Sequence, residues 1–292
     1  MIYLKPIIDK TMRKLITPIF MCLVAIAASA QQKAEIEVSY TEHQPNMRTG
    51  EKNGVTHQYI LLVGGDDSKF FSPRTEYIDS LNSTPEGKAK YQEMTRSAYL
   101  GGKWDDMPRA DGSYYVVKSA ANNKFSYYDT AGTEKFCYEE DIPQLNWEVR
   151  DSTKTVLGYE CFLAIADFHG RKWSVWFTPE IPVVAGPWKL QGVPGLILEA
   201  ATEDGLYSFV ADGIQQTDKN ITPIYLSGEY GKTDRFKFLK TKRSFFDNPI
   251  GKINAQFSGR GVTISNVRDK DGQSVERIYV PRETVDFIET DY

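Results

Sequence analysis

Apolar and polar residues alternate along most of the chain, and a period of two marks strands with one buried face. Glu35–Thr41 and Val55–Val63 open the series, and Ser68–Pro73 is a short aromatic segment. After Gly112 the strand signals crowd together: Tyr114–Lys118, Phe125–Asp129, Lys135–Glu139, Trp147–Asp151 and Thr155–Asp167, each closed by turn residues. Such regular, short spacing predicts an antiparallel meander. The clearest hairpin joins Tyr159–Asp167 to Arg171–Thr178 through Phe168-His169-Gly170. With a two-residue turn, Ala166 faces Trp173, Ala164 faces Val175 and Phe162 faces Phe177, which sets small residues opposite large ones. Leu206–Ala211 continues the meander, and Val262–Val267 and Val275–Val280 are further strand candidates.

The pattern becomes helical at Thr75–Leu81 and Pro85–Leu100. Thr84 can cap the second segment, Pro85 fits its first position, and Gly101-Gly102 ends it. Arg235–Asp247 predicts a short helix, and Glu283–Tyr292 reads as a polar, helical tail. The fold class expected is mainly β (α+β): one domain over residues 31–292, a single antiparallel sheet that is strongly bent or forms a partly open barrel, with one or two helices packed on it.

One stretch interrupts the alternation. In Trp173–Glu199, Pro179 and Pro182 cannot donate to a strand ladder, and Gly186-Pro187 and Gly192-Val193-Pro194-Gly195 mark two turns before the apolar run Leu196-Ile197-Leu198. This stretch specifies a local backbone path and fits a structural corner; a binding role is the alternative. Trp173, Trp176 and Trp188 crowd into it, either as core or as a ligand surface.

Residues 1–30 have the pattern of a cleaved signal peptide: basic Lys5, Lys10, Arg13 and Lys14, apolar Leu15–Ala27, and the A-x-A site Ala28-Ser29-Ala30. Met12 is an alternative start. The whole chain has 292 residues and a net charge of −4; the leader holds four cations and one anion, so the 262 residues after it carry about −7. That excess of negative charge excludes a typical nucleic-acid binder, which needs cations against phosphate. Cys137 and Cys161 remain after the leader, either bridged or as two buried thiols. In an exported chain the bridge is expected, and closing a loop of about 25 residues stabilises by roughly 3–4 kcal/mol.

No sequence motif carries a reaction. G-x-S-x-G, H-E-x-x-H and C-x-x-C are absent. His43, His57 and His169 are scattered, and His169, placed in a hairpin turn, reads as a solvated residue. The acidic runs Asp66-Asp67, Asp105-Asp106 and Glu139-Glu140-Asp141 point to alternate faces and read as solvated. No cofactor, metal ligand or catalytic residue is expected.

From Ile142 to Glu199 the residues resemble the GLPGLI family. The hallmark stands here as Gly192-Val193-Pro194-Gly195-Leu196-Ile197, with Val193 in place of leucine. Trp147, the Lys154–Cys161 run, Gly170-Arg171, Trp176-Phe177-Thr178, Glu180-Ile181-Pro182 and Gly186-Pro187-Trp188-Lys189-Leu190 match in order. The resemblance implies an exported protein of the Bacteroidota cell envelope, periplasmic, outer-membrane associated or secreted. It implies no established activity, and the family offers no catalytic residues to carry over. The expected function is non-enzymatic: a binding or accessory protein whose partner is an outer-membrane receptor or an apolar or peptide ligand. An exported hydrolase with an unrecognised site is the alternative.

Overall fold

The structure is a computed structural model, and it describes residues 32–221, 224–261, 263–268 and 279–292. The leader expected over residues 1–30, and most of the strand expected at Val275–Val280, lie outside them. Among the described residues, twelve strands form one sheet. The first six are β1 (Ile36–Gln44), β2 (Val55–Gly64), β3 (Asp67–Phe71), β4 (Tyr115–Ser119), β5 (Lys124–Ala131) and β6 (Glu134–Asp141). The others are β7 (Glu148–Val156), β8 (Tyr159–Phe168), β9 (Arg171–Thr178), β10 (Leu196–Thr202), β11 (Ser208–Gln216) and β12 (Gly231–Lys232). Their order is β12-β6-β5-β4-β3-β2-β1-β11-β10-β9-β8-β7. Two meanders, β1–β6 and β7–β11, thus meet along the β1–β11 pair, and every pair is antiparallel except β12 with β6.

The path from β6 to β7 constrains the sheet. These strands stand ten spacings apart in the order, about 48 Å if the sheet were flat. Residues 142–147 join them and reach at most about 25 Å. The sheet is therefore curled, although β6 and β7 are not hydrogen-bonded to each other. Inward side chains from both meanders share one core: Tyr40, Phe70, Tyr127 and Tyr138 with Phe168, Trp173, Val175 and Phe209.

The predicted β8–β9 hairpin has the register that a two-residue turn implies: Ala166 faces Trp173, Ala164 faces Val175, and Phe162 faces Phe177. His169 (φ 50°) and Gly170 (φ 79°) supply the two left-handed residues that a tight hairpin turn needs.

Among the described residues four α-helices accompany the sheet: α1 (Pro73–Asn82), α2 (Pro85–Leu100), α3 (Arg235–Asp247) and α4 (Pro249–Phe257). Thr84 caps α2 through the Gly87 N–H, as expected. Only Ala98 of α2 is buried, so this helix leans on α1 rather than on the core. The helix that packs on the core is α3, through Phe238 and Leu239.

Two expectations are corrected. Glu283–Tyr292 is not helical: it runs as turn and irregular backbone, with Val285, Asp286, Phe287 and Glu289 buried. Arg171 fastens this tail by donating to the carbonyls of Asp286, Phe287 and Ile288. Residues 263–268 form no strand.

Candidate functional site

Stacked rings form the floor of the concave side. Phe70 stacks on Tyr59 at 4.7 Å, Tyr59 on Tyr114 at 4.8 Å, Tyr114 on Tyr127 at 5.6 Å, and Tyr127 on Tyr138 at 5.0 Å. These separations are close to the spacing of neighbouring strands, so inward aromatics at matching register stack with little adjustment. Their faces cover one another, and the hydroxyl ends are what they offer. Tyr114 donates to Glu42 (3.0 Å), Tyr127 to Asp129 (3.3 Å) and Tyr138 to Glu289 (3.2 Å). Burial raises all of these phenols, so they stay neutral donors.

Helix α3 and the C-terminal tail cover this ladder and leave a cleft of about 530 Å³, lined by Glu42, His57, Tyr59, Tyr114, Tyr127, Tyr207, Phe238, Lys242 and Phe287 among others. Asp234 caps α3, and its inward face carries Arg235, Phe238, Leu239 and Lys242 at helical spacing. Lys242 reaches Asp129 at 2.6 Å, and Ser113 donates to the same carboxylate at 2.5 Å. Asp129 has no exposure, and these donors offset its desolvation.

Glu42 is less well served. It is 1% exposed, and one oxygen accepts from Tyr114 while the other has no hydrogen-bond partner. Burial is the main cause that pushes its carboxyl up to about 8; Asp111 and Asp129 add to this, and Tyr114 and Lys242 oppose it. His57, its cross-strand neighbour on β2, lies 2.6 Å from Asp111 through Nδ1 and 2.8 Å from the Gln44 amide through Nε2. Both ring nitrogens therefore have partners. Thr75 of α1 holds Asp111 in place, accepting from its N–H at 3.1 Å.

A second cluster lies at the far end of the ladder. Lys189, fully buried, contacts Glu289 at 2.7 Å and the Tyr138 hydroxyl at 2.9 Å, and pairs with Glu140 at 2.5 Å at an angle poor for a hydrogen bond. Arg235 binds Glu289 and Asp291, and His169 lies 3.4 Å from both Glu140 and Asp291. Burial disfavours the charged form of Glu289, but Lys189, His169 and Arg235 outweigh it and hold the carboxyl at about 2. His169, Glu289 and Asp291 have the spacing of a metal site. Arg235 and Lys189 already engage the same carboxylates, so a metal would have to displace them.

The Gly-Pro corner is what links the two meanders. Trp188 (φ 55°) stands in a turn closed by the Leu190 N–H on the Pro187 carbonyl and packs on Phe168 and Trp173. Lys189, beside it, covers the Tyr127 and Tyr138 rings of β5 and β6. Gly186 is hemmed in by Leu190 and Ile197, and Val193, Leu196 and Ile197 are buried. The next turn, through Pro194, carries positive φ at Gly192 (96°) and Gly195 (149°). Trp147 fastens the β6–β7 connection here, donating from Nε1 to the Gln191 carbonyl.

Several sequence readings are corrected by these positions. Trp173 and Trp188 are core residues, 0% and 2% exposed, and form no ligand surface; Trp176 alone of the three is half-buried, under Lys154. His169 and Glu140 belong to the buried network and are not solvated. Cys137 and Cys161 are free thiols: β6 and β8 belong to different meanders, Cys137 faces the Tyr230 carbonyl and Cys161 the Tyr159 carbonyl. The burial of these acids was not legible directly, yet each follows an inward-facing apolar residue two positions earlier: Glu42 after Tyr40, Asp129 after Tyr127, Glu140 after Tyr138, Glu289 after Phe287.

A family model described as the N-glycanase peptide, N-terminal domain, matches residues 112–236, from the start of β4 into α3. Two solved structures of PNGF-II are similar. In the P21 space group the TM-score is 0.47 at 16% identity, covering 71% of this chain and 33% of that one. In the C2 space group it is 0.46 at 14% identity, covering 72% and 32%. The chain spans about one third of the length of these structures. No curated protein matches it.

Proposed function

We propose that this is an exported cell-envelope protein of the GLPGLI type that binds a small ligand without transforming it, an accessory to an outer-membrane system. In this reading the curled sheet is a partly open barrel and its concave cleft is the binding site. The observation that carries it is the cleft itself: about 530 Å³ between the tyrosine ladder and α3, where buried polar groups converge. A depression of similar size on the outer side of α3 is lined by Lys237, Lys240 and Lys252 and lacks such a set of buried groups. Native mass spectrometry of protein from its host tests the reading. A ligand should co-purify with the wild type and be lost from Ala110→Trp, which fills the rim of the cleft, with the fold unchanged. Equal retention by the variant refutes the site.

One observation favours a second reading, an exported hydrolase. Glu42 is a carboxyl kept protonated at neutral pH inside a cleft, as a general acid must be. Glycopeptide cleavage by the wild type and not by Glu42→Gln would establish it; no cleavage by either leaves the binding role.

A further inference from the structure

The outer face of α3 is basic, and its lysines are unpaired. Residues 234–252 hold six cations and two acids, net +4, in a chain whose residues after the leader carry about −7. The inward cations engage buried or half-buried acids: Arg235 binds Glu289 and Asp291, and Lys242 binds Asp129. Lys237 and Lys240 of α3 and Lys252 of α4 are exposed, and among the described residues no carboxylate pairs with them. Helical spacing sets Phe236, Lys240 and Ser244 in one row and Lys237 and Thr241 in the next. These rows line a depression of about 590 Å³, whose other walls are the β5–β6 turn and α4. The walls are fixed to one another. Thr133 of the turn donates to Gln256 of α4 at 2.5 Å. Gly132, at φ 68°, makes room for the Phe245 ring, which would stand 2.3 Å from any Cβ there.

The lining narrows the ligand's chemistry. Three ammoniums face Glu134 and Asp234, and Asp234 is already engaged as the cap of α3. Each lysine is a mobile point charge that attracts an oxyanion without fixing its shape. The Thr241 and Ser244 hydroxyls are half-buried and have no hydrogen-bond partner among the described residues, which suits a ligand rich in hydroxyls. Phe236 is 51% exposed and presents its ring beside the lysines, and the C–H face of a sugar packs on the negative face of such a ring. An acyl chain or an apolar peptide would need more apolar wall than Phe236, Phe245 and Ala131 provide, and a membrane would need a surface that is not concave. We propose that this depression binds an acidic oligosaccharide, with its anionic groups on Lys237, Lys240 and Lys252 and a pyranose ring against Phe236. The site is separate from the cleft and stands whether or not the cleft binds a ligand.

Calorimetry at neutral pH on the protein isolated from its host tests this with three probes. Trigalacturonate carries three carboxylates on pyranose rings, citrate carries three carboxylates without the rings, and maltotriose carries the rings without the charge. Trigalacturonate should bind at least about tenfold more tightly than either of the others. Its affinity should fall several-fold between about 50 and 200 mM salt, because exposed charges are screened. Lys240→Glu should lower it at least about tenfold with the melting temperature unchanged; Lys252→Glu carries the same test from α4 if that variant does not fold. Phe236→Ala should lower the affinity for trigalacturonate several-fold and leave citrate unaffected. Equal binding of citrate reduces the depression to a patch of charge and overturns the saccharide inference, and equal binding of maltotriose overturns the role of the lysines. Binding of trigalacturonate that survives the lysine substitutions places its seat elsewhere and overturns the proposal, as does binding of none of the three. Phosphatidylglycerol vesicles are the last probe: capture of the wild type that trigalacturonate does not compete away would make this face a membrane contact and overturn the proposal too.

Discussion

Gly195 has two independent reasons to be glycine. Its φ of 149° is strained for any side chain, and an added Cβ would lie 2.1 Å from the Thr178 carbonyl oxygen. Gly195→Val should therefore cost several kcal/mol, while Pro194→Ala, which mainly loosens the unfolded chain, should cost about 0.5–1 kcal/mol. Thermal melts compare them, and a Gly195→Val protein that melts with the wild type would transfer the hallmark from structure to binding. Lys189 makes a sharper case. Lys189→Met leaves Glu289 and Glu140 without their main ammonium and should cost about 3–5 kcal/mol, also read from melts. At the cysteines, unfolding without reductant should expose two reactive thiols in the chain from Gln31 onward; none would restore the bridge expected from an oxidising compartment. Glycine and proline turns were legible in the sequence because their cause is local. The buried acids were not, because a carboxylate on a strand is ordinarily solvated, and only its step with preceding apolar residues betrays it.

At the scale of elements, the β8–β9 register followed from the two-residue turn, and the capping of α2 from Thr84 and Pro85. Both depend on neighbours in the chain. The role of α3 did not: nothing in RFKFLKTKRSFFD says which surface its apolar stripe covers. The tail misled for a related reason. Its glutamates and aspartates suggest solvent, but Glu289 and Asp291 are bound by Arg235, and Asp286 by Arg282. If the tail is a packed element, Phe287→Ala should cost about 3–5 kcal/mol in denaturant unfolding, as for a buried core ring. A loss below about 0.5 kcal/mol would return it to a solvated segment.

For the molecule as a whole, two buried glutamates pull stability in opposite directions with pH. Glu289 has its carboxyl lowered from 4.5 to about 2, so its contribution is full above 4.5 and is lost as pH falls toward 2. That difference corresponds to about 3 kcal/mol. Glu42 has its carboxyl raised from 4.5 to about 8, so its contribution is full below 4.5 and is lost as pH rises through 8. The two windows meet near 4.5, so stability from this pair peaks in mildly acidic solution and falls on both sides. Glu42→Gln removes only the upper limb. Its melting temperature should match the wild type at pH 4–5 and exceed it at pH 8–9, because the amide has no proton to lose inside the cleft. Parallel melting curves for wild type and Glu42→Gln from pH 4 to 9 would mean that water or a nearby cation already compensates Glu42.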